Sequence, residues 1–243
     1  MRLTRVHVAG PLASGNRHAI EGDAANHITR VLRLARGDPL TVFDGRGGEY
    51  AARIEEFRKG AVIVAVGDPS AAVRESPLSL TLAQGVSRGE RMDWVVQKAT
   101  ELGVTRIIPV LTERTVVKLD ARQAERKLAH WRGIATAACE QCGRDRIPAI
   151  DEPVDTAEFL AKAERRATRV LLSPTASLRI ADVPRSEAGA IVLIGPEGGL
   201  AEAEQQAAVA AGFVGVRLGP RVLRTETAAV TALTLLQHQF GDL

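Results

Sequence analysis

Aromatic residues are scarce in this chain. Five Phe, two Trp and one Tyr make up 3% of 243 residues, so aliphatic side chains and alanine have to fill any core. Two cysteines are too few for a disulfide scaffold. The apolar runs are short, as in A-I-V-L-I at 190–194, and do not reach the length of a membrane span. The opening M-R-L-T-R-V-H-V has no apolar signal region, so we expect a cytoplasmic protein without a membrane partner.

Excess charge of one sign is also limited. The net charge is +3, from 32 Lys and Arg against 29 Asp and Glu. Residues 1–74 hold 11 basic and 8 acidic residues, so the whole excess lies in the first third of the chain. A basic surface attracts phosphate backbones, although so small an excess also fits an ordinary solvated surface. Charge alone leaves nucleic-acid binding open.

The first 70 residues contain short apolar–polar alternations separated by turn sequences such as D-G-R-G-G. This pattern is typical of β-strands joined by tight turns. It predicts a small β-barrel domain over residues 1–70. Its strands are expected at residues 2–9, 40–43, 49–54 and 61–66.

One helix is predicted to interrupt these strands, over residues 24–34, with Asp23 as its N-cap. Three arginines follow one another at three-residue spacing, which on a helix places them on one face. That face is either merely solvated or contacts phosphates, and we prefer the second because other basic residues lie nearby in the sequence. The predicted phosphate-contacting residues are Arg17, Arg30, Arg33 and Arg36.

A linker is predicted at residues 71–77, where periodicity is lost between two prolines. From residue 78 to residue 243, strands alternate with helices, which indicates an α/β domain with a mostly parallel sheet and helices on both faces. Helices are expected to start at a Ser87–Glu90 capping box, at Asp120 and at Asp155. The last helix, 226–240, is apolar almost all round, so we expect it to be buried in the fold or in a subunit interface. The strands are predicted at 78–86, 106–111, 168–173 and 190–194.

Two loops that follow buried strands are the candidate binding site, because ligands bind at the carboxyl ends of strands in open α/β sheets. The first loop, G-P-E-G-G at 195–199, lacks the lysine of a phosphate-binding loop and has no basic residue at all. Its glycines let a backbone approach a flat neutral ring such as adenine, although for this loop taken alone a tight structural turn is the favoured explanation.

The second loop, at 218–228, reads L-G-P-R-V-L-R-T-E-T-A. Thr225 or Thr227 can cap the helix that follows, and Glu226 sits favourably in its first turn. Arg224 is not explained in this way, because a cation is disfavoured at a helix N-terminus. An acidic or polar partner, or a ligand, is therefore expected beside Arg224.

No metal site is predicted. The pair in C-E-Q-C at 139–142 lies at the end of a long predicted helix and has no second pair to complete a zinc site. We interpret Cys139 and Cys142 as buried, inert residues. The five histidines show no ligand spacing.

Four motifs together resemble one known family. I-V-L-I-G-P-E-G-G-L (191–200), L-G-P-R-V-L-R-T-E-T-A (218–228), V-Q-K-A-T-E-L-G-V (96–104) and A-C-E-Q-C-G-R (138–144) are similar to the bacterial 16S ribosomal RNA uracil-N3 methyltransferases, of the SPOUT class. H-I-T-R-V-L-R-L-A-R-G-D (27–38) and F-D-G-R-G-G-E-Y (43–50) resemble that family's PUA-like RNA-binding domain.

The resemblance implies a C-terminal SPOUT domain with a deep trefoil knot, a homodimer, and S-adenosyl-L-methionine as the cofactor. The substrate it implies is 16S ribosomal RNA of the small ribosomal subunit. Carried over by position, the implied cofactor-binding residues are Leu172, Ser173, Gly195, Glu197, Gly198, Gly199, Leu218, Gly219, Leu223, Arg224, Thr225, Thr227 and Ala228.

The reaction implied is methyl transfer to N3 of a uracil, a nitrogen whose proton has to be removed or shared. Arg224 is expected to stabilise negative charge on the uracil oxygens, and either Glu226 or Glu197 to accept the proton. Arg144, from the same or the other subunit, is expected to hold the base or a phosphate. The sequence does not choose among these roles.

Two alternatives remain from the sequence. One is a non-catalytic RNA-binding factor for ribosome assembly that uses its α/β domain for dimerisation, but it leaves the two loops and Arg224 unexplained. The other is methylation of a different RNA atom by the same fold.

Overall fold

The computed structural model describes residues 4–117 and 120–243. The chain divides into two compact units. The N-terminal unit consists of Met1–Glu75 and Cys139–Ile147, and the C-terminal unit of Ser76–Ala138 and Pro148–Leu243. The inclusion of Cys139–Ile147 in the N-terminal unit was not expected from the sequence. The domain limits at residues 70 and 78 stay a prediction.

The N-terminal unit is built on a curled five-stranded sheet, with strands in the order β1-β3-β4-β5-β2. β1 pairs with β3 in parallel, and the other pairs are antiparallel. Alternate residues point inward, so Leu40, Val42, Ile54, Val62 and Val64 form a buried core, as the alternation predicted. The strands are β1 (Arg5–His7), β2 (Arg17–Glu21), β3 (Pro39–Phe43), β4 (Glu49–Arg58) and β5 (Ala61–Pro69).

The helix predicted at 24–34 is shorter and differently wound. It consists of α1 (Gly22–Asn26) followed by one turn of π-helix (His27–Val31). The N-cap position is Glu21, so the prediction that Asp23 caps this helix is wrong. Arg33 follows the π-helical turn with a positive φ of 52°, which ends the helical path. The three arginines of this segment therefore do not share one helical face.

Three ion pairs stabilise the N-terminal unit, and one of them, between Arg144 and Glu75, joins the 139–147 segment to the rest of it. The buried carboxylate of Glu49 accepts from Arg5 and, at 3.0 Å, from Arg74. Arg144, 4% exposed, forms a 2.7 Å ion pair with Glu75. Charges this far from water have to be paired, so both carboxylates fix the fold of this unit.

The C-terminal unit contains a seven-stranded sheet in which every pairing is parallel. The order is β12-β10-β11-β6-β7-β8, and β9 also pairs with β7. The central strands are buried on both faces, which is the expected result of their continuous apolar runs. The strands are β6 (Leu80–Gly85), β7 (Arg106–Leu111), β8 (Ala149–Ile150), β9 (Val154–Asp155), β10 (Thr168–Leu172), β11 (Ala190–Ile194) and β12 (Val214–Val216). The predicted α/β fold is confirmed.

Five α-helices accompany these strands in the described part of the chain: α2 (Glu90–Glu101), α3 (Ala121–Cys142), whose last four residues belong to the N-terminal unit, α4 (Thr156–Lys162), α5 (Glu202–Ala210) and α6 (Thr225–Phe240). Two predicted caps are confirmed. Asp120 Oδ1 accepts from the Gln123 amide at 2.8 Å, and Asp155 Oδ1 from the Glu158 amide at 2.7 Å. The predicted Ser87 cap is wrong, because the N-cap of α2 is Gly89 with a φ of 58°.

Where the chain enters α6, it lies beside two earlier strands. Thr225, the first residue of α6, forms hydrogen bonds with Gly195, which follows β11, and with Gln84 near the end of β6. These contacts place the start of α6 beside the ends of β6 and β11. On its inner side α6 buries Ala229, Leu233 and Leu236, whereas Leu235 is 40% exposed. None of the helices in the described ranges is long and apolar enough to cross a membrane.

Candidate cofactor and active site

Three loops of the C-terminal unit surround one cavity of about 590 Å³ at the carboxyl ends of the strands. They are the loop after β10, the 195–199 loop after β11, and the 218–228 loop that leads from β12 into α6. Parallel strands place their carboxyl ends on one edge, which is why loops far apart in sequence meet here. The volume is that of a site for a small organic ligand.

Most of the residues expected at a cofactor site lie around this cavity. Thr227 is the exception: it is exposed and is not among the described lining residues. Successive helical residues differ in direction by roughly 100°, so Thr227 points away when Thr225 points inward. The predicted residues that line the cavity are Leu172, Ser173, Gly195, Glu197, Gly198, Gly199, Leu218, Gly219, Leu223, Arg224, Thr225 and Ala228.

Close packing requires glycine in the 195–199 loop. A Cβ at Gly195 would lie 2.7 Å from the carbonyl carbon of Gly199, and a Cβ at Gly198 would lie 3.2 Å from Cβ of Arg114. Gly199 has a φ of 68°, in the left-handed region. The glycines thus form a compact turn, and the same turn presents bare backbone to the cavity.

A buried hydrogen-bond chain joins the two loops. Thr225 Oγ1 donates to the Gly195 carbonyl at 2.7 Å and accepts from Gln84 Nε2 at 2.9 Å. The prediction that Thr225 caps α6 is therefore wrong, since its hydroxyl is used between loops. Gln84 was not predicted; its sequence signal is a polar residue near the end of an otherwise apolar strand, L-T-L-A-Q-G.

Arg224 occupies the N-cap position of α6, and its side chain does not cap the helix. It lines the cavity and is exposed. Within residues 4–117 and 120–243 its guanidinium forms no ion pair. An uncompensated cation at the positive end of a helix creates a strongly positive position at the cavity wall.

Two acidic side chains face the cavity in different states. Glu197 Oε1 accepts from the Arg88 amide at 3.0 Å and from Arg91 Nη1 at 2.8 Å. Desolvation acts to raise the pKa of Glu197, but the backbone amides and the Arg91 guanidinium outweigh it and hold that pKa below its ordinary value. Glu226 Oε2 is buried and has no hydrogen-bond partner among the described residues. Glu197 is thus an ion-paired carboxylate, whereas Oε2 of Glu226 accepts no hydrogen bond from the described residues.

Three further arginines that line the cavity, Arg91, Arg114 and Arg221, were missed from the sequence. Arg91, in the first turn of α2, pairs with Glu197, and Arg114 donates to the Gly198 carbonyl at 3.0 Å. Arg91 could have been predicted from the same pattern as Arg224, because each is a cation at the start of a helix that follows a strand and a glycine. Arg114 lies in a turn after β7 and carries no comparable signal.

Arg144 is not among the described residues that line the cavity. It belongs to the N-terminal unit, where its guanidinium is paired with Glu75. The ion pair with Glu75 accounts for the charge of Arg144 without any substrate, so a role of Arg144 in the reaction stays a prediction.

The four predicted phosphate-contacting arginines also lie in the N-terminal unit, and they differ in availability. Arg17 is paired with Glu55 at 2.6 Å, so much of its charge is compensated. Arg30, Arg33 and Arg36 are exposed. Arg30 lies within the π-helical turn, and Arg33 and Arg36 follow it, so the three do not form the predicted helical stripe.

The two cysteines are free thiols. Burial raises the pKa of Cys139 to about 12, which keeps it protonated and unreactive at neutral pH. No group of His, Cys, Asp and Glu suited to a metal ion occurs within the described ranges.

Two family models match the chain. One, described as an RNA methyltransferase domain, matches residues 74–237, and the other, described as an RNA methyltransferase PUA domain, matches residues 20–66. The first covers the whole cavity and the second most of the curled sheet.

Individual relatives match over the full length. Ribosomal RNA small subunit methyltransferase E of Buchnera aphidicola is 31% identical over 242 residues, covering 100% of this chain and 98% of the relative. A protein from Legionella pneumophila, solved in complex with the bound cofactor SAM, has a TM-score of 0.96 and 41% identity over 100% of both chains. Ribosomal RNA small subunit methyltransferase E from Neisseria gonorrhoeae, bound to S-adenosyl methionine, has a TM-score of 0.94 and 35% identity over 100% of both chains.

Proposed function

The chain belongs to the RNA methyltransferase family that includes ribosomal RNA small subunit methyltransferase E, and we propose from this premise that it methylates N3 of a uridine in 16S ribosomal RNA with S-adenosyl-L-methionine as methyl donor. Membership in an enzyme family disfavours the non-catalytic alternative. The observation that carries the proposal is the cavity at which the 195–199 and 218–228 loops meet, with Arg224 and Glu226 on its wall.

The cavity suits this cofactor on its own evidence. Its volume of about 590 Å³ accommodates a nucleoside with an amino-acid tail. The glycines of the 195–199 loop present backbone groups without side chains, as a flat base requires. The residues proposed to hold the cofactor are those of the three loops that line the cavity, from Leu172 and Ser173 through Gly195 to Ala228.

When bound, S-adenosyl-L-methionine supplies an electrophilic methyl group on a sulfonium, with the bonding pair remaining on sulfur. The protein's part is to prepare the nucleophile. Breaking the N3–H bond transfers the proton to the acceptor and leaves the electron pair on N3, which forms the new N–C bond. Glu226 is proposed as the acceptor because its Oε2 is buried and has no hydrogen-bond partner among the described residues.

Arg224 is proposed to stabilise the negative charge that then spreads onto the uracil oxygens. It already lies at a positively polarised position, the N-cap of α6, so an anion is favoured there. A uracil reaches such a cavity only when it is unpaired or turned out of its helix.

The remaining parts of the proposal concern the substrate and the assembly. The N-terminal unit is proposed to dock the RNA through Arg30, Arg33 and Arg36, which position a backbone without reading its sequence. Arg144 is proposed to hold the base or a phosphate. The enzyme is proposed to be a cytoplasmic homodimer, with the exposed Leu235 of α6 in keeping with a subunit interface.

The test is methyl transfer from labelled cofactor to small ribosomal subunits that lack the modification. Digestion and mass spectrometry should find the label on N3 of one uridine. Label on a ribose hydroxyl or on another base atom would replace the proposal with the alternative of a different target atom. Calorimetry with the cofactor alone tests binding separately, since a protein that only binds RNA gives no heat.

A further inference from the structure

Arginine is in excess on the wall of the cavity. Four arginines and two glutamates are the charged side chains among the described residues that line it. Two of the arginines have assigned partners: Arg91 is paired with Glu197 at 2.8 Å, and Arg224 is assigned to the uracil oxygens. Arg114 and Arg221 are the two whose charges the proposed function leaves unused.

Arg221 is exposed at the edge of the cavity. Gly219, with a φ of 81°, turns the chain just ahead of it, in the loop that leads into α6. In the part of the chain that the structure describes, the Arg221 guanidinium has neither a hydrogen bond nor an ion pair. Its donors and its charge are therefore available to a ligand.

Arg114 lies in the turn after β7 and is also exposed. Its Nη1 donates to the Gly198 carbonyl at 3.0 Å, and its stem lies against the same loop, since a Cβ at Gly198 would be 3.2 Å from Cβ of Arg114. No carboxylate within residues 4–117 and 120–243 forms an ion pair with it. The contact with Gly198 thus holds the guanidinium in place and leaves its charge uncompensated.

Neither proposed ligand of the cavity accounts for these two charges. Uracil is neutral. S-adenosyl-L-methionine carries a sulfonium and an ammonium against one carboxylate, so as a whole it is a cation, which additional arginines repel. The anion that accompanies a uridine in RNA is the phosphate on either side of it. A guanidinium binds phosphate through paired N–H donors, whatever the neighbouring bases are.

We propose that Arg114 and Arg221 form a phosphate subsite at the edge of the cavity, where they bind the RNA backbone next to the target uridine. A uracil that is turned out of its helix brings its own phosphates to the mouth of the cavity, and the loss of stacking has to be offset by new contacts. Such contacts position the nucleotide without reading its sequence. The subsite rests on the proposed function for the RNA substrate, and it is additional to the arginines of the N-terminal unit.

The test measures binding to small ribosomal subunits that lack the modification, and it needs no methyl transfer. Affinity is determined over a range of salt concentrations, because each lost phosphate contact lowers the slope of log affinity against log salt by roughly 0.7 to 1. We expect Arg221→Gln, and likewise Arg114→Gln, to bind roughly tenfold more weakly at low salt, with the slope reduced by roughly one. Arg221→Lys keeps the charge and should retain most of the slope.

The matched control is Arg165→Gln. It removes the same charge from an exposed position just before β10, at the opposite edge of the parallel sheet, and should leave both affinity and slope unchanged. Calorimetry with S-adenosyl-L-methionine checks the cofactor, which Arg221→Gln should bind with nearly the unsubstituted dissociation constant. A loss of cofactor affinity as large as the loss of subunit affinity would assign Arg221 to the cofactor carboxylate and overturn the phosphate subsite.

The other outcomes separate this subsite from the proposed function. Unchanged affinity and slope in both Gln variants overturn the subsite, even where the unsubstituted chain methylates N3. An equal fall in slope for Arg165→Gln also overturns it, because the effect is then one of net charge alone. A reduced slope for Arg221→Gln together with methylation at another RNA atom refutes the proposed target atom and retains the subsite.

Discussion

The hydroxyl of Thr225 donates a buried hydrogen bond of 2.7 Å to the carbonyl oxygen of Gly195. This contact joins the start of α6 to the loop after β11 and so holds together the two halves of the cofactor cavity. Gln84, on a third strand, donates to the same hydroxyl. The site is therefore organised in part by the hydroxyl of Thr225, for which the local pattern had predicted a role in capping α6.

Replacing Thr225 with Val keeps the shape and removes both hydrogen bonds. The Gly195 carbonyl and the Gln84 amide are then left buried without this partner, which we expect to cost about 1–3 kcal/mol of stability and to weaken cofactor binding. Chemical denaturation and calorimetry measure the two effects. Thr225→Ser should restore both, and Thr231→Val, on the outer side of the same helix, should change stability by less than about 0.5 kcal/mol.

Replacing Arg224 with Ala removes the charge proposed to face the uracil oxygens. We expect the turnover number to fall roughly 100- to 1,000-fold, as on loss of one stabilising donor, while the protein stays folded. Single-turnover methyl transfer measures the loss. Arg217→Ala, just outside the cavity, should remain within about threefold of the unsubstituted rate. Normal turnover in Arg224→Ala would exclude this residue from the reaction.

Cys139 and Cys142 should differ in reactivity. Because burial raises the Cys139 pKa to about 12, its thiolate is rare at pH 8, and iodoacetamide should leave it unmodified in the folded protein. Cys142 is only partly buried, so label should appear there first. Peptide mass spectrometry reads both sites, and unfolding the protein should make them equivalent. Early labelling of Cys139 in the native state would contradict its assigned environment.

Arg144 should prove important for stability whether or not it takes part in catalysis. Its replacement by Ala removes the cation paired with Glu75 and leaves the Arg146 amide as a donor, and we expect a loss of about 2–4 kcal/mol, reduced from the fully buried case because Glu75 is 19% exposed. Hydrogen exchange of β4 amides reports on the N-terminal unit directly. Arg17→Ala breaks an exposed pair of the same unit and should cost less than about 1 kcal/mol. In a Glu75→Gln background the Arg144 replacement should cost less than it does alone.

Much of the fold was predictable from local pattern. The strands at 106–111 and 190–194 are continuous apolar runs, and the caps at Asp120 and Asp155 depend on neighbours three residues away. The two-residue strands β8 and β9 were not found because so short a stretch has no period to detect. The prediction of one regular helix over residues 24–34 was wrong. A π-helical turn and the left-handed Arg33 interrupt it, and neither changes the spacing of apolar residues from which the helix was predicted.

From local pattern alone, without the family resemblance, the site was predictable only where one loop carried its own signal. Arg224 was found because a cation at a helix start is locally unfavourable. Gln84 and Arg114 act through partners more than 80 residues away in the chain, and nothing beside them in the sequence indicates those partners. The ion pair of Glu197 likewise depends on Arg91, which reaches it only in the folded domain.

The bond between Gln84 and Thr225 spans 141 residues of sequence, and this has a consequence for synthesis on the ribosome. The strands from β6 to β11 are available to pair before α6 has been translated, because domains emerge from their N-terminal end. The cavity cannot close until residue 225 and the helix that follows have left the exit tunnel. A nascent chain released early can therefore form most of its sheet and still be unable to capture its methyl donor.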